Sequence, residues 1–219
     1  FYIKQQTRRR QLCFPALVTV ICRNLLYFAY LFHKKKTGTM LIREAADMIR
    51  CPIFDNTEEP VTWADLGCGS GVFTQALASL LPPHSTIYAV DKVNTLQLAK
   101  QTTTINYFFQ QHDFITNDLQ LPGLNGILMA NALHYVKDKD SLLEKLKAYC
   151  KPGASFLVVE YDTDRPVPHW VPCPIKFSLL SDLFSAHGFA PARKLQERAS
   201  LYGRSNLYSA LILEEDKAI

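Results

Sequence analysis

An apolar segment that runs into three closely spaced glycines, at residues 61–74 (V-T-W-A-D-L-G-C-G-S-G-V-F-T), constrains the fold of this chain more than any other feature. The apolar residues predict a buried parallel strand, the glycines a turn, and residues 72–81 the helix that follows. The three glycines are Gly67, Gly69 and Gly71. Glycines there let the backbone adopt positive φ angles and pass close to a ligand. Asp65 is expected at the carboxyl edge of the strand, where open α/β sheets bind ligands, so the segment predicts a site for a nucleotide-like cofactor.

The spacing of the glycines distinguishes two classes of such cofactors. The dinucleotide fingerprint G-x-G-x-x-G, begun at Gly67, requires glycine or alanine at the position of Val72. The observed pattern is D-x-G-x-G-x-G, and a carboxylate repels a pyrophosphate but favours a cofactor with a cationic, methionine-like end. This pattern resembles the first motif of the class I S-adenosylmethionine-dependent methyltransferases. The resemblance implies that Asp65 and the glycine turn, which includes Cys68, bind S-adenosylmethionine. Taken without the rest of the sequence, the turn has an alternative interpretation as an ordinary strand-to-helix loop.

Three further apolar segments end in polar or aromatic residues, in the order that the family shows. Residues 86–90 lead to Asp91 and Lys92, residues 105–109 to Asp113 and Phe114, and residues 126–130 to Asn131 and Ala132. A carboxylate at the end of the second strand can accept both ribose hydroxyls, which we expect of Asp91, with Lys92 beside it. The resemblance implies that Asp113 takes the adenine amino group and that Phe114 lies near the ring. It places Asn131 and Ala132 beside the transferred methyl group.

The order of the predicted elements favours one α/β domain. A helix over residues 141–149 is stopped by a K-P-G sequence, and a fifth strand follows at residues 155–159. A helix at residues 174–187 and two strands at residues 191–198 and 208–213 complete the pattern. The resemblance implies a Rossmann-like sheet of seven strands in the order 3-2-1-4-5-7-6, with strand 7 antiparallel and helices on both faces.

Candidate catalytic residues follow the fourth and fifth strands. Methyl transfer is a displacement at a sulfonium-activated carbon, so the protein must align the acceptor and exclude water, while a base is optional. Histidine titrates near neutrality, and His134 lies just past the fourth strand, so it is the candidate base. The alternative is a partly buried histidine that lines the cofactor pocket without proton transfer. Glu160, Tyr161 and Asp162 follow the fifth strand, where they are placed to meet an acceptor.

We expect the acceptor pocket between residues 131–135, residues 160–173 and the Y-G-R-S segment at residues 202–205. Tyr202 and Arg204 can present a phenol and a guanidinium to an acceptor that carries a carboxylate or a phosphate. An exposed loop position, or an ion pair with an acid after the fifth strand, is the alternative for Arg204.

Charge is distributed unevenly along the chain. Residues 1–39 contain eight of the 24 Lys and Arg residues and no acid, which leaves 16 basic residues against 20 acidic ones in the remainder. A mildly acidic body lacks the positive surface of proteins that bind phosphate backbones, which argues against a nucleic-acid partner. We therefore expect methyl transfer from S-adenosylmethionine to a small-molecule acceptor, through O, N or C.

Two other functional classes stay open. One is an RNA or protein methyltransferase, which the sequence N-A-L-H at residues 131–134 disfavours because it is not the amino-methylating motif N-P-P-Y. The other is a catalytically silent, cofactor-binding scaffold. The identity of the acceptor does not follow from the sequence.

Residues 1–39 also differ from the rest in pattern. Residues 12–32 form an apolar-rich run of 21 residues between two basic clusters, long enough to span a bilayer. Arg23 and Asn24 in its middle oppose that interpretation, because a central arginine costs about 2.5–3.5 kcal/mol on insertion. A non-native extension, a membrane or surface anchor, and an ordinary N-terminal helix are the alternatives. We predict a methyltransferase domain at residues 40–219, with membrane association only if the extension is native.

The six cysteines show no C-x-x-C pair and no histidine cluster at metal spacing. We therefore expect neither a metal site nor a disulfide framework. Such cysteine usage indicates a reducing compartment, the cytoplasm. The oligomeric state is left open.

Overall fold

The computed structural model describes residues 40–55, 57–98, 104–200 and 205–215. They belong to one compact unit, Met40–Ile219. The predicted domain boundary and the interpretations of residues 12–32 concern residues outside this description, so they stay predictions. Among the described residues, no helix is both long enough and apolar enough to cross a bilayer.

Within the described residues, seven strands form one sheet in the order β3-β2-β1-β4-β5-β7-β6. The strands are β1 Thr62–Leu66, β2 Thr86–Asp91, β3 Asn106–Gln111, β4 Leu124–Ala130, β5 Cys150–Tyr161, β6 Arg193–Ala199 and β7 Asn206–Leu213. Neighbouring strands among the first five are parallel, and β7 is antiparallel to both β5 and β6. The predicted fold class and strand order are therefore confirmed.

Helices flank the sheet. They are α1 Ile42–Ile49, α2 Val72–Ala78, α3 Lys139–Lys147 and α4 Phe177–Ala186, with short 3-10 turns at Pro52–Phe54 and Leu133–Tyr135. The predicted helix at residues 174–187 begins later, at Phe177, where the backbone N–H donates to the Asp162 carboxylate at 3.0 Å. Asp138 caps α3 by accepting from the backbone N–H of Ser141 at 3.0 Å.

The fifth strand is longer than the sequence predicts, because the K-P-G sequence lies inside β5 rather than before it. The pairing with β4 shifts between Leu124, which faces Cys150, and Gly126, which faces Ser155. This irregularity accommodates Pro152, which has no backbone N–H to donate, and Gly153 at φ +78°.

Apolar side chains of β4 and β5 are buried on both faces of the sheet, which explains why both strands are continuous apolar runs. Ile127 and Phe156 belong to the core on one face, which also contains side chains of α3 and α4. Leu128 and Leu157 belong to the core on the other face, with side chains of α1 and α2. Because β1 to β5 are parallel, their carboxyl ends lie at one edge of the sheet, and the predicted site residues that the structure describes follow these ends.

Candidate active site

The turn after β1 lies directly against the turn after β4. Gly67 has φ +77°, and a Cβ added to it would lie 2.6 Å from the Cβ of Ala132 and 3.5 Å from Cε1 of Phe114. The backbone N–H groups of Gly67 and Cys68 both donate to the carbonyl of Val90, at 2.8 and 3.1 Å. Only glycine fits here, and the contact brings together three of the chain segments that were predicted to bind the cofactor.

The other two glycines of the turn differ in what surrounds them. Gly71 has φ +86°, and an added Cβ would lie 2.6 Å from Cδ1 of Leu96. Gly69 has φ +52°, and an added Cβ would meet no described atom within 4 Å. The open side of the turn is therefore at Gly69.

Asp91, at the end of β2, faces this open side. Its Oδ2 accepts from the backbone N–H of Gly69 and its Oδ1 from the N–H of Val93, both at 2.9 Å. Each carboxylate oxygen can accept a second hydrogen bond, so Asp91 keeps capacity for two hydroxyl donors. The neighbouring Lys92 is exposed.

Asp65 lies beneath the turn and is buried, with 1% of its surface exposed. Its Oδ2 accepts from the hydroxyl of Thr74 at 2.6 Å. Burial raises the pKa of the Asp65 carboxyl to about 7; the Thr74 hydrogen bond opposes this and the charge of Asp91 adds to it. Near neutral pH the carboxyl is thus poised between its two protonation states.

Burial also raises the pKa of the Cys68 thiol, and the nearby charges of Asp65 and Asp91 raise it further. The thiol is therefore protonated near neutral pH and is not a nucleophile. Cys68 contributes to the turn through its backbone.

Asp113 and Phe114 follow β3 in a tight turn. The Oδ1 of Asp113 accepts from the backbone N–H of Ile115 at 2.9 Å, and its carbonyl accepts from the N–H of Asn117 at 2.8 Å. Phe114 is buried against the glycine turn. Phe114 thus lies against the glycine turn at Gly67, with Asp113 next to it in the chain, and their role at an adenine stays a prediction.

Asn131, directly after β4, has the strained φ of +54° and donates its backbone N–H to the carbonyl of Val159 at 2.8 Å. Its side-chain Oδ1 is buried and, in the part of the chain that the structure describes, has no hydrogen-bond partner. Leaving such an acceptor unsatisfied costs about 1–3 kcal/mol. With the capacity of Asp91 and the open space at Gly69, this oxygen fits a ligand that carries amino and hydroxyl donors, as S-adenosylmethionine does.

His134 is held by Glu160, and both residues are almost fully buried. His134 Nδ1 lies 2.7 Å from Glu160 Oε2, and the backbone N–H of His134 donates to Oε1 at 3.1 Å. The rings of Tyr135 and Tyr161 lie beside the imidazole, with centroids at 4.3 and 6.1 Å. Glu160 was expected to meet an acceptor; because it is buried and both of its oxygens bind His134, it supports the histidine instead.

The loop after β5 returns to the turn after β4. The backbone N–H of Cys173 donates to the carbonyl of His134 at 2.9 Å. The ammonium of Lys139 bridges the same two segments by donating to the carbonyls of Val136 and Cys173, at 2.7 and 2.9 Å. Asp162 was also expected to meet an acceptor, but its oxygens accept from Phe177 N–H and from Lys194.

Tyr202 and Arg204 lie outside the described residues, so their predicted role at the acceptor stays a prediction. Sequence reasoning missed Thr74 and the supporting role of Glu160. An acid directly after an apolar strand was the only signal for Glu160, and a hydroxyl within the helix after the glycine turn was the signal for Thr74.

The sheet order, the glycine turn and the polar residues at the carboxyl ends of β2 and β4 define a class I S-adenosylmethionine-dependent methyltransferase. The profile of the family described as "Methyltransferase domain" matches residues 58–197. The chain belongs to this methyltransferase-domain family. The predicted cofactor, S-adenosylmethionine, is confirmed.

Known structures agree in fold. The 1,6-didemethyltoxoflavin-N1-methyltransferase of Burkholderia thailandensis, crystallised with 1,6-didemethyltoxoflavin and S-adenosylhomocysteine, shares 18% identity at a TM-score of 0.65, with 99% of each chain covered. The magnesium protoporphyrin IX methyltransferase of Synechocystis PCC 6803, with bound SAH, shares 11% identity at a TM-score of 0.61, over 90% of this chain and 99% of that chain. The plantazolicin methyltransferase BpumL, in complex with SAH, shares 14% identity at a TM-score of 0.54, over 78% and 82% of the two chains. No curated protein sequence matches the chain significantly.

Proposed function

We propose that this methyltransferase acts on a small-molecule acceptor, bound between the turn after β4 and the loop after β5. The observation that carries the proposal is the hydrogen bond from the Cys173 N–H to the His134 carbonyl, at 2.9 Å. It joins the loop after β5 to the turn that carries the buried imidazole of His134. An acceptor bound there lies between two segments that hydrogen bonds hold together, which suits a small molecule better than a nucleic acid or a protein chain.

The cofactor half of the site is built from residues after β1 to β4. Asp91 accepts hydrogen bonds from the ribose, Asn131 Oδ1 accepts from an amino group, and Gly69 leaves room for the ligand backbone. Asp113 and Phe114 hold the adenine. When bound, S-adenosylmethionine supplies a methyl group activated by its sulfonium.

The proposed class of acceptor, a small molecule, is consistent with the charge of the chain and with the names of its structural relatives. The acidic excess outside residues 1–39 offers no electrostatic attraction to a phosphate backbone. The relatives described above are named for a toxoflavin precursor, a magnesium porphyrin and plantazolicin. These acceptors differ in chemistry, so they support the class of substrate and not a particular compound.

A screen for product formation tests the proposal. The full chain is incubated with S-adenosylmethionine and either a panel of phenols, heterocycles, amines and carboxylic acids, or total RNA, or a protein extract, and S-adenosylhomocysteine is measured. We expect turnover with members of the small-molecule panel. Turnover confined to RNA or protein, or none with any acceptor while S-adenosylmethionine is bound, would contradict it.

A further inference from the structure

We propose that Glu160 is a positioning residue that fixes the tautomer of His134, so that Nε2 removes a proton from an aromatic O–H or N–H acceptor. The acceptor class rests on the proposed function. The tautomer is a property of the cofactor-free protein and can be tested without turnover.

The hydrogen bonds determine which nitrogen carries the proton. A carboxylate can only accept, and its two oxygens face two groups of one residue, the backbone N–H and Nδ1 of His134. Nδ1 must therefore donate, and a neutral imidazole with Nδ1–H has its lone pair on Nε2. Among the described residues, Nε2 has no hydrogen-bond partner.

Two further groups, Lys139 and Tyr208, interact with Glu160 electrostatically. The ammonium of Lys139 acts on Glu160 electrostatically, although burial lowers the pKa of Lys139. Burial, together with the charges of Glu160 and Asp162, raises the pKa of Tyr208, so this phenol stays neutral and donates to the carbonyl of Ile175 at 2.9 Å. Both carboxyl oxygens of Glu160 thus face His134, and a carboxylate in this position stabilises the imidazolium that forms when Nε2 accepts a proton.

The surroundings of the imidazole also indicate the acceptor. The rings of Tyr135 and Tyr161 lie at 4.3 and 6.1 Å from it, and flat aromatic ligands pack favourably against such rings. A phenol or a ring N–H is a weak nucleophile until it loses its proton, so these acceptors need a base, whereas a carboxylate does not.

The acceptor oxygen or nitrogen forms a bond to the methyl carbon, the carbon–sulfur bond breaks, and its electron pair stays on sulfur, which becomes a neutral thioether. The acceptor proton moves to Nε2 of His134 and then to water.

Nitrogen NMR of the imidazoles in the cofactor-free full chain tests the tautomer, with His134 assigned by its loss in His134→Asn. We expect Nδ1–H in the wild type. In Glu160→Gln the amide oxygen must accept from the backbone N–H of His134, so the amide NH2 group faces Nδ1. Because this NH2 group donates, Nδ1 must accept, and the imidazole proton should move to Nε2. Glu144→Gln is the matched control, because it alters another carboxylate–histidine contact, with His187, at the protein surface. A wild type with the proton on Nε2 would overturn the proposal whether or not the variant folds.

Steady-state kinetics then test whether His134 acts as the base. Glu160→Gln should lower kcat for phenolic or ring N–H acceptors about 10²–10⁴-fold while leaving the affinity for S-adenosylmethionine unchanged. Glu144→Gln should keep wild-type kcat. A Glu160→Gln variant with a changed tautomer and wild-type kcat would overturn the base role alone, and a wild type that methylates only carboxylates or thiols would overturn the acceptor class. A wild type that uses no small molecule would instead refute the proposed function, with the tautomer result still standing.

Discussion

The hydroxyl of Thr74 donates a 2.6 Å hydrogen bond to the buried carboxylate of Asp65, which joins α2 to the end of β1 beneath the glycine turn. This is the one side-chain hydrogen bond to Asp65 among the described residues. Because a single donor compensates only part of the cost of burying a charge, Asp65 gains a proton more readily than an exposed aspartate does.

Stability should therefore fall as pH rises through the range in which Asp65 ionises. Its pKa is raised from 3.8 to about 7, so between these values the folded protein binds more protons than the unfolded chain does. The contribution of Asp65 to the free energy of unfolding is greatest below about pH 4, decreases up to about pH 7, and is constant above that. Denaturant unfolding across this range, compared with Asp65→Asn, measures it: the variant should lack this component. Identical pH dependence in both proteins would contradict the prediction.

Asp91→Ala should weaken binding of S-adenosylmethionine, because it removes charge-assisted hydrogen bonds to the ribose. We expect a loss of about 1.5–3 kcal/mol, measured by calorimetry. Asp182→Ala, at an exposed acid on α4 outside the site, is the control and should bind like the wild type. Circular dichroism should verify that the turn survives, since Asp91 also accepts from Gly69 and Val93. Unchanged affinity in a folded variant would reject the ribose assignment.

Gly69→Ala should separate cofactor binding from folding. An added Cβ meets no atom of the described residues within 4 Å at either Gly69 or Gly153, and both residues have positive φ, at +52° and +78°. Both alanine variants should lose about 1–2 kcal/mol of stability for the same backbone reason. Only Gly69→Ala should also lose affinity for S-adenosylmethionine, by at least about 10-fold, because its methyl group enters the ligand space. Equal affinities in the two variants would mean that the cofactor does not pass over Gly69.

The cofactor and the glycine turn could be predicted from the sequence because their determinants are local. An apolar strand that ends in an acid and is followed by glycines indicates both the turn and the class of ligand within a few residues. Asp91 likewise directly follows its apolar run, and Asp113 follows its run after Gln110, Gln111 and His112.

The support of His134 by Glu160 could not be predicted in this way. It depends on the register of β4 against β5, in which Ala130 pairs with Val159, so that the next residues of both strands lie side by side. The residues next to His134 and Glu160 in the sequence do not indicate this register. The irregularity that takes the K-P-G sequence into β5 depends on the same pairing.

Calorimetric titration of the full chain tests the central claim most directly. We expect S-adenosylmethionine and S-adenosylhomocysteine to bind in the micromolar range, about −8 kcal/mol, and a nicotinamide dinucleotide to bind far more weakly or not at all. The acid before the glycine turn and the side chain of Val72 are the physical reasons for that preference. An absence of heat with S-adenosylmethionine, or tighter binding of the dinucleotide, would contradict the account.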